Sequence, residues 1–116
     1  MQMIEVKAAD LAGLALDWAV AKVEGISTHK FQEKTFALFG SLAIPLGDAE
    51  NGYTPSSCWH CGGPLLAKHF RIVTGMVPSL DMWPDEPAEL LPWVMRKIVE
   101  FELGDVVSVP AELVSQ

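Results

Sequence analysis

Two cysteines with two residues between them, Cys58 and Cys61, sit in Tyr53-Thr54-Pro55-Ser56-Ser57-Cys58-Trp59-His60-Cys61-Gly62-Gly63-Pro64-Leu65-Leu66. Three chemistries would use such a stretch. The first is metal binding, because Cys-x-x-Cys-Gly-Gly looks like half of a zinc ribbon. Structural zinc takes four ligands, and the chain has no second Cys-x-x-Cys. His60 adjoins Cys61, and His29 and His69 lie 40 residues apart without an HxxxH pairing. No metal site and no cofactor are therefore expected. The second is thiol redox chemistry, which wants the motif at the start of a helix, where the thiol pKa falls. Gly62-Gly63-Pro64 argues against a helix there. The third is ligand binding without turnover. Tyr53 supplies a ring, Pro55 a rigid turn and Ser56 a hydroxyl. Trp59 can stack on a flat ligand. A Gly62-Gly63 loop would expose backbone N–H groups to phosphate or carboxylate, and Arg71 would add a charge-assisted bond. Against this stands a structural loop whose rings only plug the core. There is no GxSxG, no GxGxxG and no P-loop, and Asp85 and Glu86 read as helix-start charges rather than an acid/base pair.

The elements that would hold this stretch flank it at a distance. Ile4 to Lys7 reads as a short strand with Ile4 and Val6 on one face. Residues 12–24 form the clearest helix, with Leu11, Leu14, Ala15, Trp18 and Ala21 on one stripe extended by Leu16, Val20 and Val23. Gly25 suits its C-terminus, and Gly13 is expected to permit close packing. Trp18 belongs to the core, or its edge lines a pocket. Residues 26–52 read mostly as loop with one short strand at 35–39, and His29 as a surface residue. His69 to Thr74 has strand composition. Gly75 to Pro87 reads as loop, with Trp83 as a lid over the core or part of an aromatic wall. A second helix covers about 88–103, regular from Leu90 because Pro92 suits only a first turn. Leu91, Val94, Met95, Ile98 and Phe101 should pack inward, while Arg96, Lys97 and Glu100 should be solvated. Gly104 ends this helix, and 106–109 is a last strand stopped by Pro110. The expected fold is α+β: residues 1–116 as a compact single domain, two main helices packed on a small sheet of short strands.

Composition narrows the partners. The 116 residues are half apolar, enough for a core without disulfides or metals. A net charge of −7, with eight Lys and Arg in all, disfavours duplex nucleic acid. No apolar run is long enough to span a membrane, and the first residues lack a signal-peptide pattern, so a cytosolic setting with reduced cysteines is expected. A small anionic ligand and a homo-oligomer both remain compatible.

Three segments together resemble the NinX-like family of small phage-encoded proteins. They are Leu11 to Gly25 (LAGLALDWAVAKVEG), Tyr53-Thr54-Pro55-Ser56-Ser57-Cys58-Trp59 with Gly62-Gly63-Pro64-Leu65-Leu66, and Met95-Arg96 through Leu103-Gly104-Asp105 to Val109-Pro110-Ala111-Glu112-Leu113. They occur in the family's order, and each alone would be weak. The resemblance implies a phage or prophage accessory protein acting in the host bacterial cytoplasm. The family pattern carries the tyrosine, proline, tryptophan and glycines but usually not Cys58, His60 or Cys61, which counts against shared metal or disulfide chemistry. By analogy with small phage proteins that sequester nucleotide signals of host defence, the expected function is a non-catalytic binder of a nucleotide-like molecule. Its site would use Tyr53, Ser56, Trp59, Gly62, Gly63 and Arg71, with Trp18 and Trp83 as walls. The alternative is an inhibitor that binds a host protein directly.

Overall fold

The computed structural model describes residues 2–32, 34–46 and 52–114. Gly47 and the tail beyond Val114, both touched by the sequence reading, lie outside them. Five strands and five α-helices are present among the described residues: β1 (Met3–Lys7), α1 (Gly13–Val23), β2 (Ser27–Phe31), β3 (Lys34–Phe39), β4 (Leu42–Pro45), α2 (Trp59–Lys68), α3 (Phe70–Met76), α4 (Pro87–Leu103), β5 (Val106–Pro110) and α5 (Ala111–Val114). Short 3-10 turns cover Ala8–Asp10 and Leu80–Met82.

The expected α+β class holds, but the sheet is two sheets. β1 and β5 pair antiparallel, Met3 opposite Pro110 and Val6 opposite Val107. Ile4 and Val6 share the inner face with the buried Val107 and Val109. The other sheet is a meander, β2-β3-β4, all antiparallel. Only β3 was expected there. The polar run Ser27-Thr28-His29-Lys30 hides β2, because most of that strand faces solvent and shows no apolar alternation.

The core lies between α1 and α4. Leu16, Ala19 and Val20 on α1 meet Val94, Met95, Ile98 and Val99 on α4, all fully buried. Transfer of such side chains from water stabilises by about 1.5–3 kcal/mol for each large one. Phe101 does not pack inward as expected: it is 57% exposed. It stands two residues beyond the buried Val99, hence roughly 200° around the helix. α4 is also regular from Pro87 rather than Leu90, with Pro92 inside it. Pro92 brings no N–H to the Ala88 carbonyl, and Ala88 is an exposed residue, so the missing bond does not leave a polar group in the core.

Two further expectations are overturned. His69 to Thr74 is helical: α2 and α3 meet at His69, the C-cap of one and the N-cap of the other. The apolar Phe70, Ile72 and Val73 suit a strand in isolation, but tertiary packing against α4 decides. The Cys58-to-Leu66 stretch is helical too. Gly62 explains how: a Cβ there would sit 2.3 Å from the Pro55 carbonyl oxygen and 2.9 Å from Leu91 Cδ2. Glycine lets α2 lie directly on the preceding turn and on α4, and that contact outweighs its low helix propensity.

Candidate functional site

An open cleft of about 540 Å3 lies where three pieces of chain meet. Gly13, Leu14 and Asp17 of α1 form one wall, Thr54, Ser56 and Ser57 the second, and Ala88, Pro92 and Arg96 of α4 the third. The volume is in the range of small-molecule sites.

The second wall is a tight turn. The Thr54 carbonyl accepts the N–H groups of Ser57 at 3.1 Å and Cys58 at 2.8 Å, closing the chain over Pro55-Ser56-Ser57. Tyr53 anchors its entry: its N–H donates to the Pro45 carbonyl at 2.9 Å, and its ring tilts against Phe39, 5.7 Å between centroids. The Ser56 N–H has no backbone acceptor in this turn. It donates to Asp17 Oδ1 at 3.0 Å, so a carboxylate on α1 pins the turn from outside. The first wall depends on Gly13, whose φ of +57° is costly for any residue with a Cβ. A Cβ there would meet nothing within 4 Å, so backbone shape rather than the expected close packing is what this glycine supplies.

Three groups give the cleft its chemistry. Asp17 is 2% exposed, and burial lifts its pKa from 3.8 to about 6 against the lowering pull of its bonds with Ser56. Thr54 is also 2% exposed, and its Oγ1 has no hydrogen-bond partner. A buried hydroxyl left unpaired costs about 1–3 kcal/mol. Arg96, expected to be solvated, donates from Nη1 to the Leu11 carbonyl at 3.1 Å. Its guanidinium carries five N–H donors in all, and no other acceptor for them is found among the described residues. The cleft thus offers a carboxylate, a hydroxyl and a guanidinium, a set that suits a ligand with both donors and a negative charge.

Of the eight residues singled out in the sequence, only Ser56 lines this cleft. Tyr53 is buried behind it, where burial, then the negative charges of Glu24, Cys61 and Asp17, push its phenol pKa well above the ordinary value. Trp59 is 46% exposed on the first turn of α2. Gly62 and Gly63 do not present free N–H groups. Both lie inside α2, and the Gly62 N–H donates to the Cys58 carbonyl at 2.7 Å. Arg71 is exposed on α3, not on a strand beside the loop. Trp18 is partly buried with the Lys22 ammonium 5.2 Å above its ring. Trp83 is a pinned lid: its indole N–H donates to the Val77 carbonyl at 2.9 Å, and its ring packs on Trp93 and Phe70. Sequence reasoning missed Asp17, Thr54 and Arg96. The available signal was Asp17 itself, the one acid in the otherwise apolar run Leu14-Ala15-Leu16-Asp17-Trp18-Ala19-Val20.

A second polar cluster ties α1 to α2. Glu24 accepts from Lys68 Nζ at 2.7 Å and His69 Nε2 at 2.8 Å. Burial alone would raise the Glu24 pKa, but these two partners outweigh it and hold the carboxyl below its ordinary value. Among the described residues, no three His, Cys, Asp or Glu side chains come together to hold a metal ion. No helix among them is long and apolar enough to cross a membrane.

The walls of the cleft come from segments that the family resemblance had singled out for other reasons: the run holding Asp17, the Tyr53-to-Trp59 stretch and the helix holding Arg96. Comparison with curated proteins gives no match. The family model described as Bacteriophage P22, NinX matches residues 7–88, well over half of the chain and including α1, the Thr54–Ser57 turn and the start of α4. The chain belongs to this NinX family of phage proteins.

Proposed function

We propose that this phage accessory protein binds a small nucleotide-like anion in the cleft without turning it over, and so withdraws a signal used by host antiviral defence. The observation that carries the reading is the unpartnered Thr54 hydroxyl, buried in the wall of an open cleft that Asp17 and Arg96 also line. A ligand that supplies its missing bond would recover the cost of burying it. In this reading Asp17 accepts from the amino or imino edge of a base, Arg96 binds phosphate, and Ser56 and Ser57 border the ligand. The Ala88 carbonyl, which has no N–H from Pro92, is a further acceptor at the same edge. Tyr53, Gly62 and the tryptophans Trp18 and Trp83 act as frame, while Trp59 and Arg71 stand outside the cleft.

Thermal-shift measurements against a panel of mono-, di- and cyclic nucleotides test it. At least one should raise the melting temperature of the wild type. Arg96→Gln should abolish the shift for phosphorylated ligands, and Thr54→Val should weaken it while raising the melting temperature of the free protein. If no nucleotide shifts the wild type, or both variants respond like it, the reading fails.

The second reading, direct inhibition of a host protein, has its own observation. Phe39 and Leu42 pair across the β3–β4 turn and are 37% and 58% exposed. This apolar tip is where a protein partner, or a second copy of the chain, would dock. A stoichiometric host partner recovered by the wild type but not by Leu42→Ser would favour it.

A further inference from the structure

The start of α2 has a second property that does not depend on the cleft. Cys58 is the N-cap residue, in extended conformation (φ −120°, ψ 121°), and Trp59 is the first residue of the helix. Cys61 is therefore the third helical residue, one turn on, and its N–H donates to the Cys58 carbonyl at 3.2 Å. The rise and radius of a helix put Cα atoms three residues apart at about 5 Å, and a disulfide joins Cα atoms about 4.4–6.8 Å apart. Both thiols are free.

The two sulfurs differ in surroundings. Cys58 is partly exposed at the outer end of the turn. Cys61 packs against the hydrophobic core, and its Sγ–H donates to the Gly52 carbonyl at 3.7 Å. One thiol is thus open to a co-reactant while the other waits behind it.

We propose that Cys58 and Cys61 are a thiol–disulfide exchange pair, with a low-molecular-weight or protein disulfide as co-reactant. Cys58, as thiolate, attacks one sulfur of the incoming disulfide. A mixed disulfide forms on Cys58, and the first thiolate of the co-reactant leaves. Cys61 then loses its proton to solvent and attacks Cys58 Sγ. The Cys58–Cys61 disulfide forms and the second thiolate leaves. Two thiols have been oxidised and one disulfide reduced, and the reverse sequence restores the dithiol.

The electrostatics divide the roles in the same way. The N–H groups of Cys61 and then His60 face the Cys58 sulfur and lower its pKa, without a capping bond of ordinary geometry. Burial, reinforced by the charge of Cys58, raises that of Cys61. A helix start with a partly exposed, lowered-pKa cysteine followed by one packed against the core suits such exchange.

The test uses the full reduced chain with oxidised glutathione, read by intact mass after trapping free thiols. The wild type should lose both thiols and carry no glutathione. Cys61→Ser should stall as the glutathione adduct on Cys58. Cys58→Ser should react on the order of ten-fold more slowly; serine is a preferred N-cap residue, so α2 keeps its start. A wild type that accumulates glutathione adducts without closing the internal disulfide overturns the proposal. So does a Cys58→Ser variant that reacts as fast as Cys61→Ser. Neither result bears on nucleotide binding.

Discussion

Replacing Asp17 with asparagine should stabilise the free protein at neutral pH. The carboxyl is 2% exposed and its pKa stands at about 6, against 3.8 ordinarily. Because the folded value is the higher one, the folded state takes up a proton that the unfolded state has released. Stability from this group is fully present below pH 3.8 and is lost as pH rises through about 6. At about 1.4 kcal/mol per pH unit over that interval, the ionised carboxylate costs about 3 kcal/mol at pH 7. Asparagine keeps an oxygen for the Ser56 N–H and removes the charge, but its amide N–H groups need acceptors of their own. A net gain of about 1–3 kcal/mol is expected. Urea denaturation of wild type and Asp17→Asn at several pH values from about 4 to about 8 measures it. The difference between the two should grow as pH rises through about 6 and then level off. A difference that ignores pH, or a variant less stable than wild type at pH 7, would falsify the assignment of a strained charge here. The cost also bears on function. A carboxylate held ionised in a cleft at the expense of stability fits a binding group better than a structural one.

Other substitutions probe the frame. Gly62→Ala drives a Cβ into the Pro55 carbonyl and Leu91 and should cost about 2 kcal/mol or more, whereas at Gly63→Ala the nearest atom is Trp59 Cε3 at 3.8 Å and melting should be unchanged or rise slightly. Glu24→Ala should cost about 1.5–3 kcal/mol at neutral pH, chiefly through the shielded His69 bond, since Lys68 is 61% exposed; because the folded pKa of Glu24 is lowered, the loss should shrink as pH falls through that value. Trp83→Phe removes the bond to the Val77 carbonyl while keeping a ring against Trp93, and chemical denaturation should show a loss of about 1 kcal/mol.

Elements whose apolar spacing reports their own burial were legible in the sequence. α1, β1, β5 and most of α4 belong to that class, as do the positive φ values of Gly25 and Gly104 at helix ends. The two helices that local sequence hides, α2 and α3, share one cause. α2 contains Gly-Gly and an internal proline, each unfavourable to a helix, and it forms because Gly62 meets Pro55 and Leu91. Those partners are 7 and 29 positions away, and local propensity cannot weigh them. α3 escapes local propensity for the same reason, since packing on α4 overrides β-like composition. In the site, rings and glycines carry the conspicuous sequence signal. The polar triad was hidden because Asp17 and Arg96 sit on helices whose other residues read as core or surface. Thr54 carries no signal until its hydroxyl is seen without a partner.

The pairing of β1 with β5 joins Met3 to Pro110, and this fixes an order of events during synthesis. The β2–β3–β4 meander needs only its own neighbours and can close while the rest of the chain is still being made. α1 has no such freedom. Leu16, Ala19 and Val20 are covered by α4, which follows some 70 residues later. Until then the nascent chain carries an uncovered apolar helix and an unpaired N-terminal strand. The interval between the translation of α1 and that of β5 is therefore when the nascent chain leaves the most apolar surface uncovered.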